Sequence, residues 1–485
     1  MLLDTIVQDM TAKVKSQLPM LIDNLEKMLA FEAFEQGLRG LTQELIGLVV
    51  GPILNQVLQD EQVLWRMRQA AGSMGYKYKE YRPLTVRVLE GVEIEIQSPY
   101  FTKQARKRGK KKPGPNGRGG HLLLEVLGFM GQVSPTLMDE GVQLALLCPS
   151  FEVARQVLAT RQIQLDKKTL RRLCNTLGKL GMEQRATVML EEDICLTDRT
   201  LYVGIDGGRL RTRQTKPGPI PVGKKRAGFT TPWREPKLFT IYTLDDQGRT
   251  DNDWTPIHDA TMGDADAVFE LLEASLRALP IDQAKRVVFL GDGAEWIWQR
   301  VEQLIWRVGI APDRAVQILD YFHTTQHLWQ LIQLQPRLSE KDQRATYKTW
   351  KRLLYHGHLN LLRDEVLPAL RGKKRRQALT TLAHFDQHAQ RMRYHDFKQQ
   401  GLPIGSGHVE SAIRRVVNLR LKAPGTFWKE AQAEHFLFLR SQLISGRWAI
   451  FFQNVVRRYR VGQMAQFLFP STPETVTPKT GTDGY

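Results

Sequence analysis

Three short apolar runs that each lead into an aspartate are the feature that most constrains the fold of this chain. They are "LYVGID", which ends at Asp206, "RVVFLGDG", which contains Asp292, and "AVQILD", which ends at Asp320. An unpaired buried charge is costly, so each aspartate either starts a turn or a helix, or lies beside a cation. A turn or a cap is the ordinary interpretation of one such aspartate. It is less attractive here because Asp206 and Asp292 both follow an apolar run and both precede a glycine.

The region around these runs alternates between strand and helix patterns. Apolar segments at 201–206, 237–244 and 253–262 predict three strands, and those at 286–293 and 315–320 predict two more, with an amphipathic helix before and after the fourth strand. The order β-β-β-α-β-α-β predicts a mixed five-stranded sheet with helices on its faces. Residues just past the strand ends of such a sheet gather at one edge, where ligands bind, so we expect the three aspartates to meet there.

Carboxylates that meet at one edge repel each other unless a cation is present. Ligation by oxygen alone selects a hard ion such as Mg²⁺ or Mn²⁺, and two such ions about 4 Å apart can act on both the attacking and the leaving oxygen of a phosphoryl displacement. Glu410 is a fourth candidate, in the first turn of a helix predicted to begin near Gly407. A glutamate there can equally complement the helix dipole.

The charge balance favours an acidic polymer as the partner. Lys plus Arg number 69 against 51 Asp plus Glu, which gives a net charge of +18. Three basic runs stand out: 102–120 with eight bases and no acid, 209–237 with nine bases and one acid, and 371–376 with five bases. Any one run can be a solvated surface, but three together favour nucleic acid. The three cysteines lack the spacing of a zinc knuckle, and no apolar run reaches membrane-span length. A cytoplasmic protein with no membrane partner is therefore expected.

Outside the strand region, the pattern is mostly helical. Residues 1–80 read as helices, and 84–97 alternate around Glu90-Gly91 as in a hairpin. Residues 150–178 predict two helices capped by Ser150 and Asp166. The second presents four exposed bases, so the pair is either a DNA-binding helix-turn-helix or a plain helical hairpin. Residues 324–400 read as helical throughout and interrupt the core.

Three segments carry a resemblance to a known family: "VVFLGDGAEWIW", "ILDYFH" and "PIGSGHVESAIRRVVNLRLKAPGTFW". They resemble insertion-sequence transposases of the DDE class, and most closely the Kra-type bacterial group with its Asp-Gly-Ala-x-Trp-Ile-Trp and Gly-Ser-Gly-x-Val-Glu signatures. The resemblance covers about 200 to 450. It implies an α/β ribonuclease-H-like catalytic core, a mixed five-stranded sheet with flanking helices, that is interrupted by an all-helical insertion and preceded by mainly helical N-terminal DNA-binding regions.

The resemblance also implies roles for individual residues. Asp206, Asp292 and Glu410 would be catalytic and would hold two Mg²⁺ or Mn²⁺ ions per active site. Related transposases have an Asp-x-x-His or Cys-x-x-His element, which "DYFH" matches, and this places Asp320 and His323 beside the site in a supporting role, together with His408 and Arg414. For His323 the alternative is a core histidine hydrogen-bonded near Asp320. One departure is that "SPYFTKQARKRGKKKPG" lacks the Cys-x-x-Cys-like element that comes after the N-terminal hairpin in other members.

The predicted organisation has seven segments: 1–83 helical, 84–130 hairpin and basic Gly/Pro-rich segment, 131–199 helix-turn-helix-like, 200–323 first part of the core, 324–403 helical insertion, 404–465 core completion with the Glu410 helix, and 466–485 disordered tail. The bases expected to contact DNA are Lys107, Arg108, Lys110, Lys111, Lys167, Lys168, Arg171, Arg172, Lys224, Lys225, Arg226, Arg415, Arg420 and Lys422.

The activity that the resemblance implies is that of a DNA transposase. It would bind the terminal inverted repeats of an insertion sequence, cleave them and join the freed 3′-hydroxyl ends to target DNA, as a homo-oligomer associated with the bacterial nucleoid. Two alternatives remain open, a catalytically silent DNA-binding regulator and a nuclease on the same core. A P-loop ATPase is disfavoured because the chain has no G-x-x-x-x-G-K-[ST] motif.

Overall fold

The computed structural model describes residues 2–103, 119–185, 194–220, 223–224, 227–245, 247–249, 251, 253–336 and 338–461. The chain divides into two compact units, one formed by 1–180 with 452–485 and the other by 181–451. Part of the sequence-based prediction lies outside the described residues, namely the tail at 466–485 and the bases Lys107, Arg108, Lys110, Lys111, Lys225 and Arg226.

The first unit begins with helices, continues with a hairpin and ends in further helices, in agreement with the sequence pattern. Its elements are α1 (Leu2–Met28), α2 (Phe31–Gln59), α3 (Glu61–Ser73), β1 (Tyr76–Arg87), β2 (Glu93–Lys103), β3 (Gly119–Gly120), α4 (Leu122–Val126), α5 (Pro135–Leu147), α6 (Phe151–Thr160) and α7 (Lys167–Met182).

The predicted hairpin is present, and its strands extend beyond the alternating segment 84–97 at both ends. Strands β1 and β2 pair antiparallel over their whole length. The chain reverses through Glu90 and Gly91, which have φ angles of 53° and 73°. A positive φ suits glycine and is uncommon for glutamate. Helix α2 lies close to the hairpin, since a Cβ added at Gly51 would stand 3.3 Å from Ile94.

Helix α2 is the one described helix whose length and composition would suffice to cross a membrane. A helix in the core of a globular protein can have the same length and composition. Leu54 and Leu58 of this helix are buried in the same core as Ile94 and Ile96 of the hairpin. This packing accounts for part of the apolar character of the helix.

The two helices predicted within 150–178 are confirmed as α6 and α7. The Ser150 hydroxyl accepts the N–H of Val153 at 3.1 Å, and the Asp166 carboxylate accepts the N–H of Thr169 at 2.8 Å. Both side chains act as N-caps, as the sequence predicts. The four bases of α7 are exposed: Lys167, Lys168, Arg171 and Arg172. Whether this helix pair reads DNA stays a prediction.

The second unit contains the predicted mixed sheet of five strands. Its strands are β4 (Thr200–Gly207), β9 (Lys237–Thr243), β10 (Ile257–Thr261), β11 (Arg286–Gly291) and β12 (Ala315–Leu319), and their order across the sheet is β10-β9-β4-β11-β12. Strand β9 runs antiparallel to both of its neighbours, whereas β11 runs parallel to β4 and β12. Between β4 and β9 the chain forms two small ribbons from β5 (Leu210–Arg211), β6 (Gln214–Thr215), β7 (Phe229–Thr230) and β8 (Trp233–Arg234).

The helices between 265 and 413 lie where the sequence pattern predicts helices, and further helices follow them. They are α8 (Ala265–Arg277), α9 (Glu295–Val308), α10 (Tyr321–Leu334), α11 (Glu340–Tyr355), α12 (Leu359–Val366), α13 (Gly372–Gln387), α14 (Tyr394–Gln399), α15 (Gly407–Ile413), α16 (Leu419–Leu421), α17 (Glu430–Ile444) and α18 (Trp448–Val461). The segment after β12 is helical, and a helix begins at Gly407. A single π-helical turn, Arg414–Asn418, separates α15 from α16.

Helix α15 lies directly on the central strand of the sheet. A Cβ added at Gly204 of β4 would stand 2.9 Å from the Cβ of Val409 and 3.1 Å from Thr240 of β9. No side chain fits in that space, so glycine allows the helix to approach the strand. On the same helix, His408 stacks on Tyr242 of β9 with 4.2 Å between ring centroids.

We predict that Gly204→Ala destabilises the second unit by about 1–3 kcal/mol, because the added methyl group overpacks the helix against the strand. Thermal unfolding followed by circular dichroism measures this. The control is Gly72→Ala in α3, where no atom lies within 4 Å of the added Cβ; this change is expected to be neutral or to stabilise by up to about 1 kcal/mol. Equal stability of the Gly204→Ala variant and the wild type would show that the contact is not tight.

Candidate active site

Three aspartates lie side by side at one edge of the sheet. Gly291 at the end of β11 is in register with Ile205 of β4 and with Leu319 of β12. The residues that follow Ile205, Gly291 and Leu319 in the chain are Asp206, Asp292 and Asp320, respectively. Neighbouring strands are about 4.8 Å apart, so the backbones that carry Asp206 and Asp292 are adjacent. The expectation that the strand-ending aspartates share an edge is confirmed.

Asp206 is the most strongly perturbed of these carboxyl groups. Burial raises its pKa from 3.8 to about 7. The N–H of Gly207, which donates to Asp206 Oδ1 at 2.6 Å, opposes this rise, whereas the negative charges of Asp292, Glu410 and Glu235 add to it. The four carboxyl groups are therefore close enough to interact, and a cation among them would relieve the repulsion.

Asp292 is held by the turn that precedes α9. Its Oδ1 accepts the N–H of Ala294 at 2.9 Å, and its backbone carbonyl accepts the indole N–H of Trp298 at 2.6 Å. Trp298 is buried, so its ring anchors the turn in the core beneath the sheet edge. The "DGAEWIW" motif thus places an aspartate and fixes its backbone with a side chain six residues further along.

Asp320 links the sheet edge to the helix that carries Glu410. It is only 2% exposed, and its Oδ1 accepts the N–H of Phe322 at 2.7 Å and that of His323 at 3.3 Å. Its other oxygen, Oδ2, accepts the hydroxyl of Ser406, which also lies 3.5 Å from Glu410 Oε1. Asp320 therefore caps α10, which was the ordinary interpretation, and it also positions the start of α15.

Four histidines form a row beside Asp292. His323 and His327 lie one turn apart on α10, and His384 lies in the last turn of α13, which His388 follows directly. The ring centroids are 5.6 Å, 5.4 Å and 4.6 Å apart in the order 323, 327, 384, 388. A Cβ added at Gly293 would stand 2.6 Å from the His384 ring. Burial lowers the pKa of His327 and His384, and the nearby Asp292 charge partly offsets this.

Sequence reasoning found His323 and missed the other three histidines. It also missed Glu235, whose carboxylate lies so close to Gly207 that a Cβ at this glycine would collide with it. The signals were present as two His pairs at i, i+4 spacing and a lone acid within the basic stretch 209–237. Neither signal indicates which other segment those residues face.

One predicted DNA contact lies elsewhere, and this prediction is corrected. Arg420 is 2% exposed, with its guanidinium 5.2 Å from the centre of the Trp428 ring and 5.1 Å from that of Phe436. A side chain buried between aromatic rings does not reach a DNA phosphate. His408 stacks on Tyr242 two residues before Glu410, and its supporting role stays a prediction. The remaining predicted bases in the described part of this unit are exposed, namely Lys224, Arg415 and Lys422, and so is the predicted supporting residue Arg414.

The donor chemistry of the edge fits a hard divalent cation, because Asp206 has the carboxylates of Asp292, Glu410 and Glu235 near enough to raise its pKa, and carboxylate oxygens are the ligands that such ions prefer. The raised pKa of Asp206 is consistent with a negatively charged cluster. Among the described residues, however, no three His, Cys, Asp or Glu side chains are already arranged to hold an ion. Metal ligation by Asp206, Asp292 and Glu410 therefore stays a prediction.

We predict a pH-dependent cost of the Asp206 charge in protein kept in a metal chelator. Between about pH 4 and pH 7, the folded state holds a proton on Asp206 that the unfolded chain has lost, so this group makes folding less favourable as the pH rises through that window. Asp206→Asn should therefore raise the melting temperature at pH 8 by about 2–4 °C more than at pH 5. Asp282→Asn, at an exposed turn before β11, is the matched control. Equal shifts at both pH values would contradict the raised pKa.

Comparisons with known proteins give one family. A family model described as "Uncharacterised protein family (UPF0236)" matches residues 24–449, so the chain belongs to that family. No curated protein matches the chain. A solved structure described as the "Drosophila P element transposase strand transfer complex" is 11% identical and has a TM-score of 0.25, over 70% of this chain and 85% of that chain. A likeness this low carries no conclusion about fold or function.

Proposed function

We propose that this member of UPF0236 is a DNA transposase of the DDE class, of the Kra type, with a ribonuclease-H-like core. The observation that carries the proposal is the register of the sheet, which brings Asp206 and Asp292 to adjacent strand ends, while Val409, the residue before Glu410, packs against the strand that leads to Asp206. The strand order with one antiparallel strand in a mixed sheet supports the proposed core. The net charge of +18 supports DNA as the substrate.

The proposed reaction is cleavage of the transposon ends and then attack of the freed 3′-hydroxyl on target DNA. Asp206, Asp292 and Glu410 would hold two Mg²⁺ or Mn²⁺ ions, which when bound supply charge stabilisation at the attacking and leaving oxygens. Asp320 would fix the start of the Glu410 helix by accepting the hydrogen bond of the Ser406 hydroxyl. Trp298 would keep Asp292 in place through its bond to the backbone.

The proposed partners are the terminal inverted repeats and target DNA, both double-stranded, with a homo-oligomer that brings two ends together. The exposed bases of α7 support end binding by the first unit, and exposed Arg415, Lys422 and Arg414 near α15 support contact with phosphates next to the site. A bacterial protein acting on DNA in this way would work in the cytoplasm, at the nucleoid.

We predict that Asp292→Asn abolishes Mg²⁺-dependent cleavage and joining of transposon-end DNA, by at least about 100-fold, while end binding changes by less than about 3-fold. The substitution keeps the shape of the side chain and removes the charge that a cation requires. Asp282→Asn, an exposed carboxylate at the opposite end of β11, is the control and should retain activity. Joined products from the Asp292→Asn protein would refute the assignment.

The same assay separates the two alternatives. A catalytically silent DNA-binding regulator would bind the ends and leave them uncut in the wild type. A nuclease on the same core would give cut ends without joined products. Intact carboxyl groups at positions 206, 292 and 410 favour an active enzyme over the regulator.

We also predict that Lys168→Ala/Arg171→Ala lowers the slope of log binding constant against log salt concentration by about 1–2, because each lost phosphate contact releases about one fewer counterion. Titrations of end DNA between about 50 and 300 mM salt measure this slope. The control is Lys285→Ala/Lys398→Ala, which removes the same charge from exposed positions in the second unit, away from the aspartate edge. Equal slope changes in the two double variants would show that α7 makes no specific contribution.

A further inference from the structure

The segment between β4 and β9 forms a basic projection that begins three residues after Asp206. It consists of the ribbon β5–β8, in which Arg211 pairs with Trp233, and the ribbon β6–β7, in which Thr215 pairs with Phe229. We call these two ribbons the aromatic arm. The stretch 209–237 that contains the arm carries nine bases and one acid. A polyanion is therefore the partner that its charge favours.

Aromatic rings of the arm and of the segment beside it are exposed to solvent. Trp233 is 48% exposed and Phe229 is 39% exposed, and Phe427, 6.0 Å from Phe229 between ring centroids, is 37% exposed. The Arg211 guanidinium lies 4.7 Å from the centre of the Trp233 ring, and that of Arg213 lies 4.0 Å from the centre of the Phe229 ring. Trp233 and Phe229 therefore each have a cation on one side and keep a large part of their surface exposed.

The arm is fixed to the segment that comes after the Glu410 helix. The N–H of Arg213 donates to the carbonyl of Trp428 at 2.6 Å, and the N–H of Trp428 donates to the carbonyl of Arg211 at 3.1 Å. Trp428 is buried, and its indole N–H donates to the carbonyl of Leu421 at 3.0 Å. The base of the arm thus has a defined place relative to Asp206 on one side and to α16 on the other.

Exposed aromatic rings with a guanidinium group over one face can bind unpaired nucleotides. In a duplex the base faces are covered by their neighbours, so an aromatic ring gains little from binding there. In a single strand every base offers a face that stacks on such rings with little dependence on sequence, while nearby cations bind the phosphates. Arg234 is less available for this, because it pairs with Glu430 at 3.1 Å.

We propose that the aromatic arm binds unpaired nucleotides next to the phosphodiester that occupies the aspartate edge, with Trp233 and Phe229 stacking on bases and Arg211, Arg213 and Lys216 contacting phosphates. This inference rests on the proposed function, since it places a nucleic acid at that edge. It adds the prediction that strands separated at the cleavage point, and not only duplex DNA, are ligands of this protein.

The test compares two DNA probes of the same sequence, one fully paired and one with a short unpaired segment that contains 2-aminopurine. The full-length protein is used in a metal chelator, so that only binding is measured. Trp233→Ala should weaken binding of the unpaired probe by about 10-fold and reduce the quenching of 2-aminopurine by stacking, while paired-probe binding changes by less than about 2-fold. Trp233→Phe should restore most of the affinity, because it keeps an aromatic face.

The matched control is Trp306→Ala on α9, which removes an indole that is 82% exposed outside the arm and should leave both probes unaffected. Phe229→Ala provides a second variant in case Trp233→Ala does not fold. If the arm variants weaken both probes equally, or neither probe, the arm proposal is wrong. If that result is found and the wild type still cleaves and joins paired ends, only the arm proposal fails. If the wild type binds neither probe, the proposed function fails with it.

Discussion

The contact between Gly204 and Val409 is the constraint on which the geometry of the site depends. Glycine at position 204 lets α15 lie on the central strand, and a Cβ there would stand 2.9 Å from Val409. Glu410 is the next residue after Val409, so the same contact brings a distant carboxylate towards the strand that carries Asp206. The Ser406 hydroxyl, which donates to Asp320 Oδ2 and lies 3.5 Å from Glu410 Oε1, holds the beginning of that helix from the other side.

The same arrangement causes electrostatic repulsion among the carboxylates at the sheet edge. A buried aspartate with three carboxylates nearby is unfavourable in the absence of a cation, which is why burial and those charges move the pKa of Asp206 to about 7. Proteins keep such clusters where the charge has a use. In the proposed transposase, the stability lost through repulsion at this edge is recovered when cations and the phosphodiester bind. The same carboxylates therefore affect both the stability of the fold and the binding of substrate.

The sequence predicts the sheet well because its signals are local. Apolar runs along the chain identified four of the five strands closely. The register that places the ends of β4, β11 and β12 side by side is seen only in the structure. The row of histidines was missed because His323 and His327 meet His384 only through the fold of the insertion. Arg420 was misplaced because its charge was weighed without the apolar face of its own segment: Val416 and Val417 are buried, and position 420 continues their helical spacing. On that face the guanidinium lies against Trp428 and Phe436.

The most direct test of the central claim is a crystal structure of the protein with Mn²⁺ and transposon-end DNA, analysed by anomalous scattering. The account predicts two anomalous peaks at the sheet edge, about 2–2.2 Å from carboxylate oxygens of Asp206, Asp292 and Glu410, with a phosphate beside them. Peaks bound to other residues, or DNA at this edge with no ion touching Asp206 and Asp292, would contradict it.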